Sequence, residues 1–262
     1  MKPILYLSII CLSLFFSSCK DSSENIGYVD PNEALVEKLN KVKGDSRTYN
    51  DDFKILEEPK AEGVDYYEPT FISEAISSIP SKMQNTIHLP LVNKLPFTPS
   101  TQKANIVTFW NNSNKLIFQI QIAYLENDAA YKADNKDFFI ISATQLADNP
   151  FIDTESENDP IDKWIEEFNM DGTSTEPEDK IIYQKLELTP ELPLFYKKEY
   201  YKWETMYPYY AYDEDDKLID HTSTGSQMYY AWHDGLIFQI GYNMNTEGMD
   251  MEAMIKEIIL GK

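Results

Sequence analysis

Basic residues are scarce in this chain of 262 residues, which has 23 Lys and Arg against 44 Asp and Glu and a formal net charge of −21. A protein that binds nucleic acid needs a basic surface that displaces counterions from phosphates, so this deficit excludes nucleic acid as a partner. Hydrophobic residues make up 42% of the chain and aromatic residues 13%. That supply is sufficient for a packed core, so the acidity is not that of a disordered chain.

Glycine, histidine and cysteine are also scarce, with 9 Gly, 3 His and 2 Cys. The sequence has no glycine-rich loop that could hold a phosphate, which argues against nucleotide chemistry. It also lacks the Gly-x-Ser-x-Gly, His-Glu-x-x-His and Cys-x-x-Cys motifs of common hydrolases, metalloenzymes and redox proteins. We therefore predict no cofactor, no bound metal and no catalytic residue.

The N-terminal residues predict export. Lys2 precedes an apolar stretch from Ile4 to Phe16, which is shorter than the roughly 20 residues that a membrane-spanning helix needs, so residues 1–18 are typical of a signal peptide. The residues Phe16-Ser17-Ser18-Cys19 resemble the lipobox of bacterial lipoproteins, although Phe16 replaces the usual Leu and Ser18 the usual Gly or Ala. The resemblance implies lipidation of Cys19 and attachment to a bacterial membrane, at the outer face of the cytoplasmic membrane or in the outer membrane.

Cysteine usage supports the same prediction independently. Cleavage before Cys19 removes Cys11 and leaves Cys19 as the one thiol of an exported protein. A single unpaired cysteine is unusual in an exported protein, because the compartment is oxidising, and acylation with chains such as palmitate would explain its presence. We predict a lipidated flexible tether over 19–29, followed by a single α+β domain over 30–262 with its core at about 88–262.

The hydrophobic periodicity predicts an α+β fold built on a curved, largely antiparallel β-sheet with short helices. One predicted hairpin lies at 104–124 and has one face in water, and a second lies at 227–242 around the turn His233-Asp234-Gly235. Leu-Ile-Phe-Gln-Ile occurs in both hairpins, either through duplication or through convergent strand patterning. The remaining predicted elements are helices at 31–43, 70–79, 160–169 and 249–260 and strands at 137–145 and 181–188.

Three groups of polar residues are candidates for chemistry. Ser100 and Lys103 match the Ser-x-x-Lys pattern, but a strand rather than a helix is predicted to follow and no Lys-Thr-Gly is present. His221 and His233 each adjoin an aspartate, Asp220 and Asp234, as acid–base or metal sites require. The acidic clusters at 153–162 and 213–216 offer calcium ligands, yet lack the spacing of a calcium loop. A solvated surface or turn role is the alternative for each group.

The most aromatic part of the sequence is Phe195–Tyr212, with nine aromatic residues in eighteen. Such a run can form a stacking platform for sugars or a wall for an apolar ligand or peptide. Alternatively, its rings cover the core. On the first interpretation the ligand-binding residues are Tyr201, Trp203, Tyr207, Tyr209 and Trp232.

The residues Tyr229 to Phe238, together with the predicted helix at 251–260 and Leu95-Pro96-Phe97, resemble a domain of uncharacterised bacterial envelope and anti-sigma-associated proteins. The resemblance covers about 88–262. It implies a curved antiparallel sheet distantly similar to lipoprotein carriers, and a non-enzymatic binding or sensing role in the cell envelope. One alternative is a wall or glycan hydrolase that uses carboxylates such as Glu166, Glu167, Asp213 or Asp215 as acid and base. Another is a purely structural lipoprotein without a pocket.

Overall fold

The computed structural model describes residues 30–44, 64–111, 113–127, 137–149, 182–198 and 206–262. Within these residues the chain forms four α-helices, which are α1 (Glu33–Val36), α2 (Ile72–Ser77), α3 (Ser81–Thr86) and α4 (Met251–Leu260). A short 3₁₀-helix spans Val92–Lys94. The twelve strands are β1 (Lys41–Gly44), β2 (Val64–Tyr67), β3 (Thr70–Phe71), β4 (Thr101–Trp110), β5 (Leu116–Leu125), β6 (Phe138–Gln145), β7 (Ile182–Thr189), β8 (Leu192–Lys198), β9 (Met206–Asp213), β10 (Leu218–Gly225), β11 (Gln227–His233) and β12 (Leu236–Asn243). The predicted α+β class is confirmed.

All twelve strands belong to one open sheet in the order β7-β8-β11-β12-β6-β5-β4-β2-β1-β10-β9, and β3 adds to β4. Every described pairing is antiparallel except that between β1 and β10. The two predicted hairpins, β4–β5 and β11–β12, both lie near the centre of the sheet. The Leu-Ile-Phe-Gln-Ile segments lie on either side of β6, where Ile120 and Phe238 are both opposite Ala143.

The helices cover one face of the sheet and form the main core with it. Ile255 and Ile258 of α4 pack there with Phe118 and Phe238 of the strands. The helix begins at Asp250, whose carboxylate accepts a hydrogen bond from the Ala253 amide at 2.9 Å, and it ends at a glycine in the left-handed conformation, as helices often do. Residues before 88 also enter this core, including Val36, Tyr67, Ala75, Ile79 and Met83.

The opposite face of the central strands is covered by the β9–β10 hairpin, which belongs to the same sheet. Tyr207 of β9 lies against Gly241 of β12, and Tyr210, three residues on, is hydrogen-bonded to Gln121 of β5. Three residues of strand span about 10 Å, which is also the spacing between β12 and β5 across two strand intervals. The β9–β10 hairpin therefore crosses the central strands at a steep angle and encloses a second core between them.

The prediction of a wet face on the first hairpin is therefore wrong. Every residue of β5 is buried, including its polar alternates Gln119 and Gln121. Gln121 belongs to a row of buried polar groups that runs across five strands in register, namely Asn105, Gln121, Ser142, Gln239 and Tyr230. The alternation of apolar and polar residues in β5 correctly predicted a strand with one polar face. That polar face is buried rather than solvated.

The predicted helix at 31–43 is also wrong beyond its first turn. Helix α1 ends at Val36, and residues 41–44 form β1 between β2 and β10. The Lys43 amide donates to the Lys217 carbonyl at 3.2 Å, so pairing with a distant part of the chain overrides the local helical pattern. The predicted helix at 160–169 lies outside the described residues.

Candidate functional site

The candidate site is a cleft of about 620 Å³ at one end of the sheet, which we call the turn cleft. It lies between the β4–β5 turn (111–115), the β11–β12 turn (234–235) and the chain that leaves β6 (146–148). Its floor is apolar and consists of Phe109, Ile117 and Leu146, while Lys82, Lys115 and Asp148 stand at its rim. The cleft has a volume that is common for small-molecule sites, and six of its eleven described lining residues are polar or charged.

The cleft exists because two neighbouring strands part at this end. The β5–β6 register ends at Gln119 opposite Thr144. The Gln145 side chain extends the pairing by one step, since its carbonyl oxygen accepts a hydrogen bond from the Phe118 amide at 2.9 Å. Beyond it the chain follows β12, because the Leu146 amide donates to the Gly235 carbonyl at 2.9 Å. The space left beside β5 is the turn cleft.

Both turns at the cleft are fixed by local side-chain or backbone chemistry. The Asn111 side-chain oxygen accepts hydrogen bonds from the Ser113 and Lys115 amides at 3.0 and 2.9 Å. In the other turn Asp234 and Gly235 both have positive φ, 46° and 80°, which is the conformation of a two-residue hairpin turn and favours the Asp-Gly sequence. The prediction of a turn at 233–235 is confirmed.

The predicted His233–Asp234 pair lies at this end of the sheet, but its aspartate has other partners. The Asp234 carboxylate is 3.2 Å from the Lys82 ammonium and accepts from the Thr86 hydroxyl at 3.2 Å. The lysine hydrogen bond holds the pKa of Asp234 below its usual range. Partial burial lowers the pKa of His233, and the nearby His88 and Lys262 add to this effect while Asp234 opposes it. The described residues contain no cluster of three or more potential metal ligands.

The predicted ligand-binding aromatics fall in different places. Tyr207 and Tyr209 are buried in the second core, and the Tyr207 hydroxyl lies 2.9 Å from the Ser142 hydroxyl and donates to the Gln239 carbonyl at 3.2 Å. Trp232 is half-buried and its indole N–H donates to the Leu146 carbonyl at 2.9 Å, directly beside the turn cleft. Tyr201 and Trp203 lie outside the described residues. A ligand-binding role for these rings stays a prediction.

The remaining polar candidates occupy surface positions or lie outside the described residues. Ser100 directly precedes β4 rather than a helix, and Lys103 is 3.6 Å from Glu214 in an ion pair. Asp213 is the exposed last residue of β9, and its carboxylate accepts hydrogen bonds from the amides of Asp215 and Asp216 in the following turn at 2.9 and 3.1 Å. The His221 side chain, Glu166, Glu167 and the acidic cluster at 153–162 lie outside the described residues.

A second, smaller cavity of about 240 Å³ lies on the helix side at the same end of the sheet, and we call it the helix-side cavity. It is lined by the carboxylate residues Glu33, Glu37 and Asp65 and by two aromatic rings, Tyr67 and Trp110. The Lys41 ammonium reaches into this group and is 2.6 Å from the Asp65 carboxylate. The hydrogen bond with Asp65 raises the pKa of Lys41.

Neither cavity was predicted from the sequence, although one signal points to the turn cleft. Residues 75–125 contain no Asp or Glu. At the average frequency of the chain, 44 acidic residues in 262, about eight or nine acidic residues would be expected in this stretch. The same stretch carries four lysines, including Lys82 and Lys115 of the cleft rim. The acidic surface of the protein is thus interrupted where the cleft opens.

Comparisons with protein families, with curated proteins and with solved structures give no significant match to this chain. No helix among the described residues has the length and apolar character that crossing a membrane requires.

Proposed function

We propose that this chain is a lipid-anchored, non-enzymatic binding or sensing module of the bacterial cell envelope that receives its ligand in the turn cleft. The observation that carries the proposal is the composition of this cleft, an apolar floor with two lysines and one carboxylate among the described residues that line it. The described lining of the cleft holds one acid, Asp148, rather than the pair of acids that glycan hydrolysis needs. The turn cleft suits a ligand whose apolar part contacts the floor and whose polar or anionic group contacts the lysines at the rim.

The ligand prediction is tested by filling the cleft without disturbing the core. Ala147 is exposed and lines the cleft, so an Ala147→Trp variant places an indole in the ligand space. We expect this variant to bind anilinonaphthalene sulfonate, an anionic amphiphilic probe, at least about tenfold more weakly than the wild type, which corresponds to about 1.4 kcal/mol of binding free energy. Fluorescence titration measures the affinity.

Ala253→Trp is the matched control, because Ala253 is exposed on α4, away from the cleft. This control variant retains the wild-type affinity if the turn cleft is the binding site. Equal affinities in both variants, or no binding by the wild type, would contradict the proposal. Native mass spectrometry of protein extracted gently from its own host then identifies the natural ligand, which the Ala147→Trp variant no longer retains.

The anchor is tested at Cys19. We expect Cys19→Ser to move the protein from the membrane fraction to the soluble fraction, because acyl chains contribute about 0.8 kcal/mol per buried CH₂ and the variant cannot carry them. Labelled palmitate is expected to enter the wild type and not the variant. A wild type without label, or a variant that stays with the membrane, would show that the protein is held by other means.

The helix-side cavity favours a second candidate function, hydrolysis of a wall or glycan polymer. It brings three carboxylate residues together beside Tyr67 and Trp110, as a glycosidase site would require. Its volume of about 240 Å³ is below the range of about 300–1,000 Å³ that is common for ligand sites, so binding in the turn cleft is the preferred function. Release of soluble sugar from purified wall polymer by the wild type, and its loss in Glu33→Gln, would reverse this preference.

A further inference from the structure

One end of the body, which we call the turn end, combines three features that bear on how the protein sits at a membrane. The turn end comprises the β4–β5 turn (111–115), the β11–β12 turn (234–235) and the chain at 146–148. The first described residue, Asp30, is fixed there. Its buried carboxylate accepts hydrogen bonds from the Asn32 amide at 2.9 Å and from the Leu116 amide, at the start of β5, at 3.4 Å. The chain that leads back to Cys19 therefore joins the body at the turn end.

The second feature is an exposed apolar segment that leaves the turn end. Leu89, Leu91 and Val92 are 43%, 56% and 36% exposed. The residue before them, His88, lies beside Gly261 at the C-terminal end of α4, and Thr86 is hydrogen-bonded to Asp234 of the β11–β12 turn. The segment thus starts at the same end of the body as Asp30. One other large apolar side chain is as exposed among the described residues, Phe71, at 75%.

Phe71 lies towards the opposite end and stands alone. Its backbone pairs with Lys103 near the start of β4, seven residues before Trp110 at the turn end. Seven residues of strand span about 23 Å. The two exposed apolar sites are therefore well separated along the body, and only one of them lies with the first described residue.

The third feature is electrostatic. Residues 75–125, which include the apolar segment and the β4–β5 turn, carry four lysines and no carboxylate. Three acidic residues from elsewhere in the chain pair with its lysines: Asp234 with Lys82 at 3.2 Å, Glu257 with Lys94 at 2.8 Å and Glu214 with Lys103 at 3.6 Å. An anionic membrane surface repels carboxylates and attracts lysines. The side of the turn end that residues 75–125 form is therefore the side suited to approach such a surface, because the helix-side cavity at the same end carries Glu33, Glu37 and Asp65.

We propose that the turn end faces the membrane, with Leu89, Leu91 and Val92 in the interfacial region of the phospholipid bilayer. This inference rests on the proposed lipid anchor at Cys19. Ten residues, 20–29, separate Cys19 from Asp30, and the tether predicted there from the sequence would have a root-mean-square length of about 17 Å. The ten-residue strand β4 alone is about 33 Å long. A tether shorter than the body favours contact through the end to which it is attached.

The orientation has a consequence for the ligand. The turn cleft lies at the turn end, so its mouth is close to the bilayer surface when Leu91 is inserted. A ligand with an apolar part then passes between the membrane and the apolar floor over a short distance. The orientation thereby specifies the source of the ligand as the membrane interface rather than the bulk periplasmic or external solution.

The experiment uses full-length lipidated protein in vesicles of phosphatidylethanolamine and phosphatidylglycerol. A lipidated Cys19 has no free thiol, so Leu91→Cys and Phe71→Cys each supply a single site for a thiol-reactive fluorophore. Both positions are exposed and apolar, which makes Phe71→Cys the matched control. Vesicles with and without nitroxide-labelled lipid are compared. We expect the label at 91 to lose roughly half or more of its fluorescence, because interfacial groups lie about 5–10 Å into the headgroup and acyl boundary. We expect the label at 71 to change little.

The outcomes separate this inference from the proposed anchor. If mass spectrometry shows no acyl chain on Cys19, the anchor is wrong and the vesicle experiment has no lipidated sample to use, which overturns the inference with it. If Cys19 is acylated and the label at 71 is quenched as strongly as that at 91, or neither is quenched, the anchor stands and the orientation is wrong. Preferential quenching at 91 supports the orientation. A Leu91→Glu variant, labelled through Leu89→Cys, is expected to lose that quenching while it stays lipidated.

Discussion

Replacement of Gly241 by alanine is expected to destabilise the protein by about 2–3 kcal/mol. A Cβ atom at this position would lie 2.3 Å from Cδ2 of Tyr207, and the Tyr207 ring is completely buried and cannot move aside. Overpacking of this kind costs about 1–3 kcal/mol or somewhat more. The strand conformation at 241 would by itself favour alanine by about 0.4–1 kcal/mol, so steric overlap dominates. Urea unfolding measures the change in the free energy of unfolding.

A double-mutant cycle with Tyr207→Leu identifies the cause. Tyr207→Leu alone removes a buried ring and its hydrogen bonds to Ser142 and Gln239, so it destabilises too. If the alanine clashes with the ring, the double variant is more stable than the sum of the two single effects predicts, by about 1–2 kcal/mol. Strict additivity would mean that β9 does not cross β12 at this point, and the arrangement of the second core would then be wrong.

Gln121→Leu is expected to destabilise the protein by about 2 kcal/mol. The side-chain amide of Gln121 pairs with the backbone of β9 in both directions, accepting from the Tyr210 amide at 3.0 Å and donating to the Tyr210 carbonyl at 3.2 Å. Leucine has a similar size but removes the acceptor from a buried N–H, which costs about 1–3 kcal/mol. Asn105 still donates to the Tyr210 carbonyl at 3.1 Å, which limits the loss.

Gln184→Leu is the matched control, because Gln184 is exposed on the edge strand β7. Its effect is expected to stay within about 0.5 kcal/mol, as for most surface substitutions. Limited proteolysis adds a local measurement, since Gln121→Leu loosens the β9–β10 hairpin while leaving β4–β5 in place. A Gln121→Leu protein as stable as the control would show that the buried polar row does not hold the hairpin to the sheet.

The elements with strong local signals were predicted well from the sequence. The β11–β12 hairpin follows from alternating apolar residues on both sides of an Asp-Gly turn, and the observed strands Gln227–His233 and Leu236–Asn243 match the prediction closely. Helix α4 follows from its 3.6-residue apolar period and from Gly261 after it. The α+β class with a largely antiparallel sheet is confirmed for the same reason, since both periodicities are local properties of the chain.

The candidate site was not predictable in the same way. The turn cleft joins residues from α3, two separate turns and the chain after β6, which meet only because the strands take the order found in the sheet. Its lining includes ordinary residues such as Phe109, Ile117 and Leu146, and no motif marks them. Only the carboxylate-free stretch at 75–125 distinguishes this region in the sequence, and charge alone does not define a cavity.

The sequence by itself determined the charge, the two hairpins and the final helix, because each depends on composition or on neighbours within a few residues, while export and lipidation of Cys19 stay predictions. Tertiary structure decided which polar faces are buried. Gln119 and Gln121 alternate like solvated residues, yet Tyr210 of β9, about 90 residues further along the chain, is hydrogen-bonded to both. Burial of polar groups is possible there because the Tyr210 backbone satisfies the Gln121 amide, while the Tyr210 and Thr144 hydroxyls satisfy the Gln119 amide. A hydrogen bond between positions that distant leaves no local pattern, so only the folded structure reveals it.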